Sequence, residues 1–326
     1  MADLLPTDRR LKWVSLAALV GQNCAAVLLI RITQRGIGDE VPRYNATAVV
    51  WITEFVKFFF CLVFAFRGNP SVVELYAELQ RDFWPLVVPA GLFALQNNLL
   101  FIALNNLEAT LFQVTYQLKL VFTALLMVLM LNTKLSLWKW ISLAILVAGI
   151  VLTQLSAAKK TTSPPRIGGD DDSSLTTKNA TTEDAHLLIG LVAVIVSATS
   201  SAFASVYFEK VLKGSATSLW MRNIQLAMFS ILINGVVFLK DNSIHQVFLG
   251  FFPSTWVLVG VQALGGIVVA MVMKYADNIL KGFATSLAIV LSGLFSWWYL
   301  NFQPTWLFTL GAVLVLGATY LYSATA

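Results

Sequence analysis

Apolar runs recur along the whole chain, and shorter polar stretches separate them. Ten of these runs reach about 18 or more residues, which is enough for a helix to cross a hydrocarbon core about 30 Å thick. The pattern therefore predicts an all-α polytopic membrane protein with ten transmembrane helices. The predicted spans cover approximately residues 13–30, 46–66, 84–104, 108–131, 137–155, 186–211, 219–239, 254–275, a ninth from 277, and 305–322.

Composition supports this class. The 326 residues are 58% hydrophobic and only 12% charged, whereas soluble domains carry about 25% charged residues. The net charge of +5 does not indicate nucleic-acid binding, because most cations fall near the ends of the predicted helices. Cys24 and Cys61 lie inside apolar runs, so we expect free buried thiols and no disulfide.

One long polar segment, residues 156–185, divides the chain. It is rich in Ser, Thr, Pro, Gly and Asp, which predicts a flexible lumenal linker between a first five-helix repeat (1–155) and a second (186–326). An offset of 169 residues places Leu131 on Leu300 and Glu108 on Asp277. Because five is odd, the second repeat would enter the membrane inverted. The acidic run at 170–172 is interpreted as a solvated stretch rather than a metal site.

The distribution of basic residues predicts the orientation. With a cytosolic amino terminus, twelve Lys and Arg residues fall at cytosolic ends and four in the short loops on the other side. This bias predicts that both termini are cytosolic. The glycosylation sequons at Asn45 and Asn179 then lie on the lumenal side. The first apolar run would serve as an uncleaved first span.

Lys119 carries the strongest indication of function. It lies eleven residues after Glu108, near the middle of the predicted fourth span, where an unpaired lysine in lipid costs at least about 3 kcal/mol. Phe112 and Tyr116 share its helical face. Aromatic rings beside a cation suit an anion that carries a nucleobase, so we interpret Lys119 as facing substrate. The alternative is an internal lysine paired with a buried carboxylate.

A charged pair lies in the second span. Glu54 and Lys57 are three residues apart and share one helical face, so we expect an ion pair inside the bundle with structural and gating roles. Amide side chains at residues 96–98 interrupt the third span, and they also need interior partners.

Five longer stretches carry a resemblance to a known family. They are residues 96–98 (QNN), 116–119 (YQLK), 206–213 (VYFEKVLK), 222–225 (RNIQ) and 274–283 (KYADNILKGF). With these motifs in this order, the chain resembles the nucleotide-sugar transporters of the Golgi and endoplasmic reticulum. The plant CMP-sialic acid transporter-like proteins look nearest. The resemblance covers essentially the whole chain except the tail and the central linker.

The resemblance implies a fold of the drug/metabolite transporter type and an antiporter in the Golgi membrane, or else the endoplasmic reticulum. It implies exchange of a CMP-sugar, of the CMP-sialic acid type, for CMP. The alternative is a UDP-galactose or other UDP-sugar:UMP antiporter, because residues 276–287 are more similar to the UDP-galactose members. The expected partners are the nucleotide sugar, the nucleoside monophosphate and the lipid bilayer. We expect no cofactor or metal, and the formation of a homodimer is left open.

The resemblance also implies site residues. Positions matching Asn97, Lys119, Asn223 and Lys281 contact the nucleotide, and Glu54 and Lys57 line the pathway. We further expect Phe112 and Tyr116 to flank the base, and Lys119 and Lys281 to bind the phosphate. The specificity candidates are positions where the chain departs from the animal CMP-sialic acid members, namely Phe93, Ala227, Val269 and Ala270.

Two other function classes were weighed. A membrane enzyme is disfavoured because the histidines, His186 and His245, fall at span ends or loops and no paired carboxylates occur at catalytic spacing. An exporter of small cations on the same fold would need buried carboxylates with aromatic cages, whereas the candidate site here contains lysines.

Overall fold

The computed structural model describes residues 6–35, 44–68, 71–107, 109–158, 176–241, 247–299 and 305–324. Ten stretches of these residues are helical, long and apolar enough to cross a membrane. The predictions of an all-α polytopic class and of ten transmembrane helices are therefore confirmed. The helices are α1 (Pro6–Arg35), α2 (Ala46–Gly68), α3 (Val72–Gln80), α4 (Val87–Asn106), α5 (Ala109–Tyr116), α6 (Leu118–Leu131), α7 (Leu137–Ala158), α8 (Thr176–Lys213), α9 (Leu219–Asp241), α10 (Pro253–Tyr275), α11 (Asn278–Tyr299) and α12 (Trp306–Ala324), with a 3₁₀ turn at Trp84–Leu86.

The fourth span differs from its prediction at one residue. Gln117 separates α5 from α6, and two backbone bonds there join residues three apart, from Gln117 N–H to the Val114 carbonyl (3.2 Å) and from Leu120 N–H to the Gln117 carbonyl (3.0 Å). The span therefore tightens locally to 3₁₀ geometry while it continues to Leu131. The amide of Gln117 donates to Gln154 of α7 (3.3 Å), a contact that the local sequence does not reveal.

Helices extend into both ends of the predicted linker at 156–185. Helix α7 continues to Ala158, and α8 begins at Thr176, so residues 176–185 are helical rather than part of a flexible linker. This stretch contains no Pro or Gly that would stop a helix. At 38 residues, α8 is about 57 Å long, and its membrane-crossing part is Leu187–Lys213. The acidic run at 170–172 lies outside the described residues.

The chain forms two compact units, and each draws on both halves of the sequence. The first unit comprises Met1–Ala94 and Ala204–Phe302, and the second comprises Leu95–Phe203 and Gln303–Ala326. These units do not coincide with the predicted repeats 1–155 and 186–326. The inverted repeat remains a prediction from the sequence.

In the first unit, α1 packs on α10 and α11, while α2 packs on α9 and α10. Two adjacent glycines of α10 make room for polar side chains. A Cβ at Gly265 would overlap the amide of Gln22, which donates to the Val261 carbonyl (3.3 Å), and a Cβ at Gly266 would lie 2.9 Å from Cδ of Lys57. The unit thus accommodates a glutamine and a lysine next to the α10 backbone.

In the second unit, α7 packs along α12. The two backbones approach closely at Gly149 and Gly311, since a Cβ at Gly311 would lie 2.6 Å from the Gly149 carbonyl oxygen. Small residues permit such close crossings of membrane helices. A second close contact joins Gly190 of α8 to the side chain of Leu107, which follows α4.

Candidate functional site

The tightened turn at Gln117 positions Lys119. In 3₁₀ geometry, side chains three residues apart lie nearly one above the other, and the Lys119 ammonium lies 5.5 Å from the centre of the Tyr116 ring. Cations over aromatic faces are attracted by the ring quadrupole. The carbonyl of Lys119 accepts the hydroxyl of Thr123 (2.7 Å), which keeps that hydroxyl within the helix.

Tyr116 is held from two sides within the second unit. Its ring lies 5.8 Å from that of Phe112 at an interplanar angle of 11°, so the two rings are stacked. Its hydroxyl oxygen accepts a hydrogen bond from the Gln96 amide of α4 (3.2 Å). The hydroxyl proton therefore remains available to a further acceptor. The predicted face of two aromatic rings and one ammonium group is present.

Gln96 itself is a residue that the sequence did not place in the site. Its backbone carbonyl accepts the hydroxyl of Ser197 on α8 (3.2 Å), and its side-chain carbonyl oxygen is buried without a hydrogen-bond donor in the described part of the chain. The run of amides at 96–98 is the sequence feature that indicates this position, although the resemblance points to Asn97 alone. Asn97 is half-buried on the same helix.

The carboxylate-partner interpretation of Lys119 finds no support among the described residues. The ion pairs there join Lys57 to Glu54, Lys213 to Glu209, and Arg222 to Asp82. Lys119 is half-buried and takes part in none of them. Its observed neighbour is the Tyr116 ring, so the geometry fits the interpretation that this lysine meets an external anion.

Lys281 lies in the first unit, in the first turn of α11. Its ammonium donates to the hydroxyl of Ser205 on α8 (3.4 Å). Asp277 accepts the backbone N–H of Leu280 (2.7 Å) and so caps the same helix. This lysine therefore has a hydroxyl partner within its own unit.

Asn223 is almost fully buried in α9, and its amide donates to the Leu219 carbonyl one turn earlier (2.9 Å). Its neighbours tie α9 to the turn after α3. The buried Arg222 donates to the carboxylate (3.1 Å) and carbonyl (2.9 Å) of Asp82, and Gln225 donates to the Leu79 carbonyl (2.7 Å). Arg222 and Gln225 of the stretch 222–225 therefore join α9 to the end of α3 and the turn after it. A nucleotide contact of Asn223 remains a prediction.

The ion pair expected in the second span is present. Lys57 and Glu54 approach to 2.6 Å, and their side chains are 7% and 16% exposed. The aliphatic part of Lys57 lies against Gly266 of α10, as described above. The pair thus faces the interior of the first unit. A role in the pathway or in gating stays a prediction.

The specificity candidates occupy the interior of the first unit to different depths. Ala227 and Ala270 are completely buried, Val269 packs partly buried against the same core as Ala270, and Phe93 is half-buried on α4. Because the side chains of Ala227 and Ala270 are completely buried, they could contact a substrate directly only if the helices moved. The specificity role of all four positions remains a prediction.

Comparisons with known proteins identify the family of the chain. The sequence profile of the family described as nucleotide-sugar transporter matches residues 7–323. The UDP-N-acetylglucosamine transporter of Rattus norvegicus is 41% identical over 325 residues, which cover 96% of this chain and 95% of that protein. The UDP-galactose translocator of Bos taurus is 44% identical over 327 residues, which cover 97% and 78%. A solved crystal structure that is 12% identical aligns with a TM-score of 0.65 over 98% of both chains, which is a likeness of fold alone.

Proposed function

Because the chain belongs to the nucleotide-sugar transporter family, we propose that it is an antiporter that exchanges a UDP-sugar for UMP. The chain is a multi-pass membrane transporter of nucleotide sugars and not an enzyme. The observation that carries the choice of base is its identity of 41–44% to proteins named for UDP-N-acetylglucosamine and UDP-galactose. We propose these two UDP-sugars as its substrates.

This proposal takes the alternative rather than the first choice of the sequence analysis. Exchange of a CMP-sugar of the CMP-sialic acid type for CMP finds no support in these relatives. The similarity of residues 276–287 to the UDP-galactose members had pointed toward UDP-sugars. Val269 and Ala270 differ from the residues of the animal CMP-sialic acid transporters, and we propose that these differences favour uridine nucleotides.

We propose that Lys119 binds the phosphate and that Phe112 and Tyr116 stack on the uracil. The support is the ammonium 5.5 Å from the Tyr116 ring, the parallel Phe112 ring and the absence of an ion pair at Lys119 among the described residues. Base–aromatic stacking contributes about 1–3 kcal/mol per base. Asn97 and Asn223 are proposed to contact the ribose or the base edge.

Lys281 is proposed as a second phosphate ligand. Its hydrogen bond to Ser205 is long, at 3.4 Å, so a phosphate oxygen offers a stronger partner. Phosphate is common to UMP and UDP-sugars, so a lysine that binds phosphate can bind the ligands of both directions of transport. An empty carrier would keep the Lys119 charge inside a membrane-spanning helix, and this cost disfavours unloaded reorientation and favours exchange.

We propose a Golgi membrane location with both termini cytosolic. The support is the excess of basic residues at the ends of the spans on the side of the amino terminus. Membrane-impermeant labelling of single cysteines placed at residues 170 and 325 in sealed Golgi vesicles tests the orientation. Labelling of residue 170 from the cytosolic side would contradict it.

The test of the proposed substrate is equilibrium binding by the purified full-length protein. Isothermal titration with UMP, CMP, AMP and GMP should give the tightest binding for UMP, and UDP-galactose or UDP-N-acetylglucosamine should compete with it. Tighter binding of CMP than of UMP would overturn the choice of base. Absence of binding by every nucleotide would overturn the proposed function.

A further inference from the structure

One hydrogen-bonded ladder joins the end of α8 to the start of α11 within the first unit. Ser205, Glu209 and Lys213 lie four residues apart on one face of α8. Lys213 contacts Ala276 in the connection between α10 and α11, while Glu209 and Ser205 contact residues in the first turn of α11. We define the α8–α11 ladder as these three residues with Ala276, Asn278 and Lys281.

Glu209 is the centre of the ladder. It is completely buried, and its two carboxylate oxygens accept hydrogen bonds from different residues. One oxygen accepts the Lys213 ammonium (2.5 Å), and the other accepts both the backbone N–H (3.0 Å) and the side-chain amide (2.9 Å) of Asn278. The carboxylate therefore satisfies a backbone N–H at the amino-terminal end of α11, which has no acceptor within its own helix.

The outer contacts fix the direction and register of α11. Lys213 also donates to the Ala276 carbonyl (2.7 Å), where α10 has ended, and the Asn278 amide also donates to the Ser205 carbonyl (2.8 Å). One turn further into α11, Lys281 donates to the Ser205 hydroxyl (3.4 Å). A slip of α11 by one residue would break the bonds of Asn278 and Lys281 together.

Burial of the Glu209 carboxylate costs desolvation free energy, and its pair with Lys213, whose side chain is 38% exposed, offsets only part of that cost. Networks of buried polar contacts often serve to specify one geometry. This network specifies the geometry of the first turn of α11, which carries Lys281. We infer that Glu209 is a positioning residue for nucleotide binding, which acts by holding the start of α11 so that Lys281 is aimed at the phosphate. This inference rests on the proposed function, because it takes Lys281 as a phosphate ligand.

The test is a double-mutant cycle on UMP affinity. Glu209→Gln keeps the size of the side chain but loses the charge that Lys213 and Asn278 share. In the otherwise wild-type protein it should weaken UMP binding about tenfold, because a neutral amide accepts the Asn278 bonds more weakly than a carboxylate does. In a Lys281→Met background, where there is no ammonium to aim, the same change should alter the UMP dissociation constant less than about twofold.

A matched control is Glu78→Gln. Glu78 of α3 also accepts a backbone N–H at the start of another helix, that of Ser218 before α9 (2.6 Å), and α3 packs on α2 and α9. This control should leave UMP affinity within about twofold in both backgrounds. It separates the loss of any helix-capping carboxylate from the loss of the one that holds Lys281.

A milder variant keeps the test decisive if Glu209→Gln does not fold. Ser205→Ala removes only the hydroxyl that meets Lys281, so it should weaken UMP binding about threefold in the wild-type background and not in the Lys281→Met background. Equal losses in both backgrounds, or no loss in either, would overturn the positioning role. Failure of the wild-type protein to bind UMP would instead refute the proposed function, and both results are read from the same titrations.

Discussion

Replacing Glu54 with Gln removes one charge of the Glu54–Lys57 ion pair and leaves the other buried. The Lys57 side chain is only 7% exposed, and its aliphatic part lies against Gly266, so the ammonium cannot easily reach water. Removing one partner of a buried pair costs about 3–5 kcal/mol, whereas replacing both with uncharged side chains of similar size is often close to neutral. The single change should therefore be more harmful than the double change Glu54→Gln/Lys57→Met.

The assay is equilibrium unfolding of the detergent-solubilised protein by increasing mole fractions of sodium dodecyl sulfate. We expect Glu54→Gln to lose about 3 kcal/mol and the double variant about 1 kcal/mol, which gives a coupling energy of about 2 kcal/mol or more. Glu74→Gln, on the exposed face of α3, is the control and should change the free energy of unfolding by less than about 0.5 kcal/mol. Additive losses at Glu54 and Lys57 would refute the claim that the two residues are partners.

Three further outcomes follow from the structure. Lys119→Ala should weaken binding of UMP and of UDP-sugars alike by more than about tenfold, with little change in melting temperature, because both ligands share the phosphate; near-normal affinity in titration would leave this lysine as a structural charge. Gly311→Val should overlap the Gly149 carbonyl, lower the free energy of unfolding by about 1–3 kcal/mol and so lower the melting temperature. The control is Gly317→Ala, which should leave the melting temperature unchanged because its Cβ meets no atom within 4 Å. Equal melting of the two variants would contradict the close crossing of α7 and α12. Arg222→Lys keeps the charge but cannot satisfy all the acceptors of the guanidinium at once, so the carboxyl-terminal end of α3 should become accessible to cysteine labelling at residue 79. Unchanged labelling would show that the end of α3 does not depend on this contact.

The spans could be predicted because hydrocarbon imposes a strict rule. Each crossing needs about 20 apolar residues with their backbone bonds satisfied internally, and the sequence displays ten such runs. The pairing of Glu54 with Lys57 was also predictable, since residues three apart on a helix are neighbours. The face formed by Phe112, Tyr116 and Lys119 followed from the same spacing.

The tightened turn at Gln117 could not be predicted. No Pro or Gly marks it, and its side chain is paired with Gln154, 37 residues away. The start of α8 at Thr176 could not be predicted for a different reason. The polar composition of residues 176–185 favours a flexible segment, but these residues include no Pro or Gly that would break a helix.

The polar networks of the first unit show the limit most clearly. Arg222 and Glu209 could be flagged as charges inside predicted spans that must have partners. Their partners at Asp82 and Asn278 are 140 and 69 residues away, and only the fold brings them together. The stretches 206–213 and 222–225, which contain Glu209 and Arg222, carry the family resemblance, and in the structure these two residues join helices.

Exchange by the purified protein in liposomes tests the central claim most directly. Vesicles preloaded with UMP, with CMP or with buffer alone are given radiolabelled UDP-galactose or UDP-N-acetylglucosamine outside, and the initial rate of uptake is measured. The account predicts that internal UMP accelerates uptake of at least one of these sugars at least about tenfold over buffer, and that CMP does so far less. Equal uptake with and without internal UMP, or acceleration by CMP alone, would contradict it.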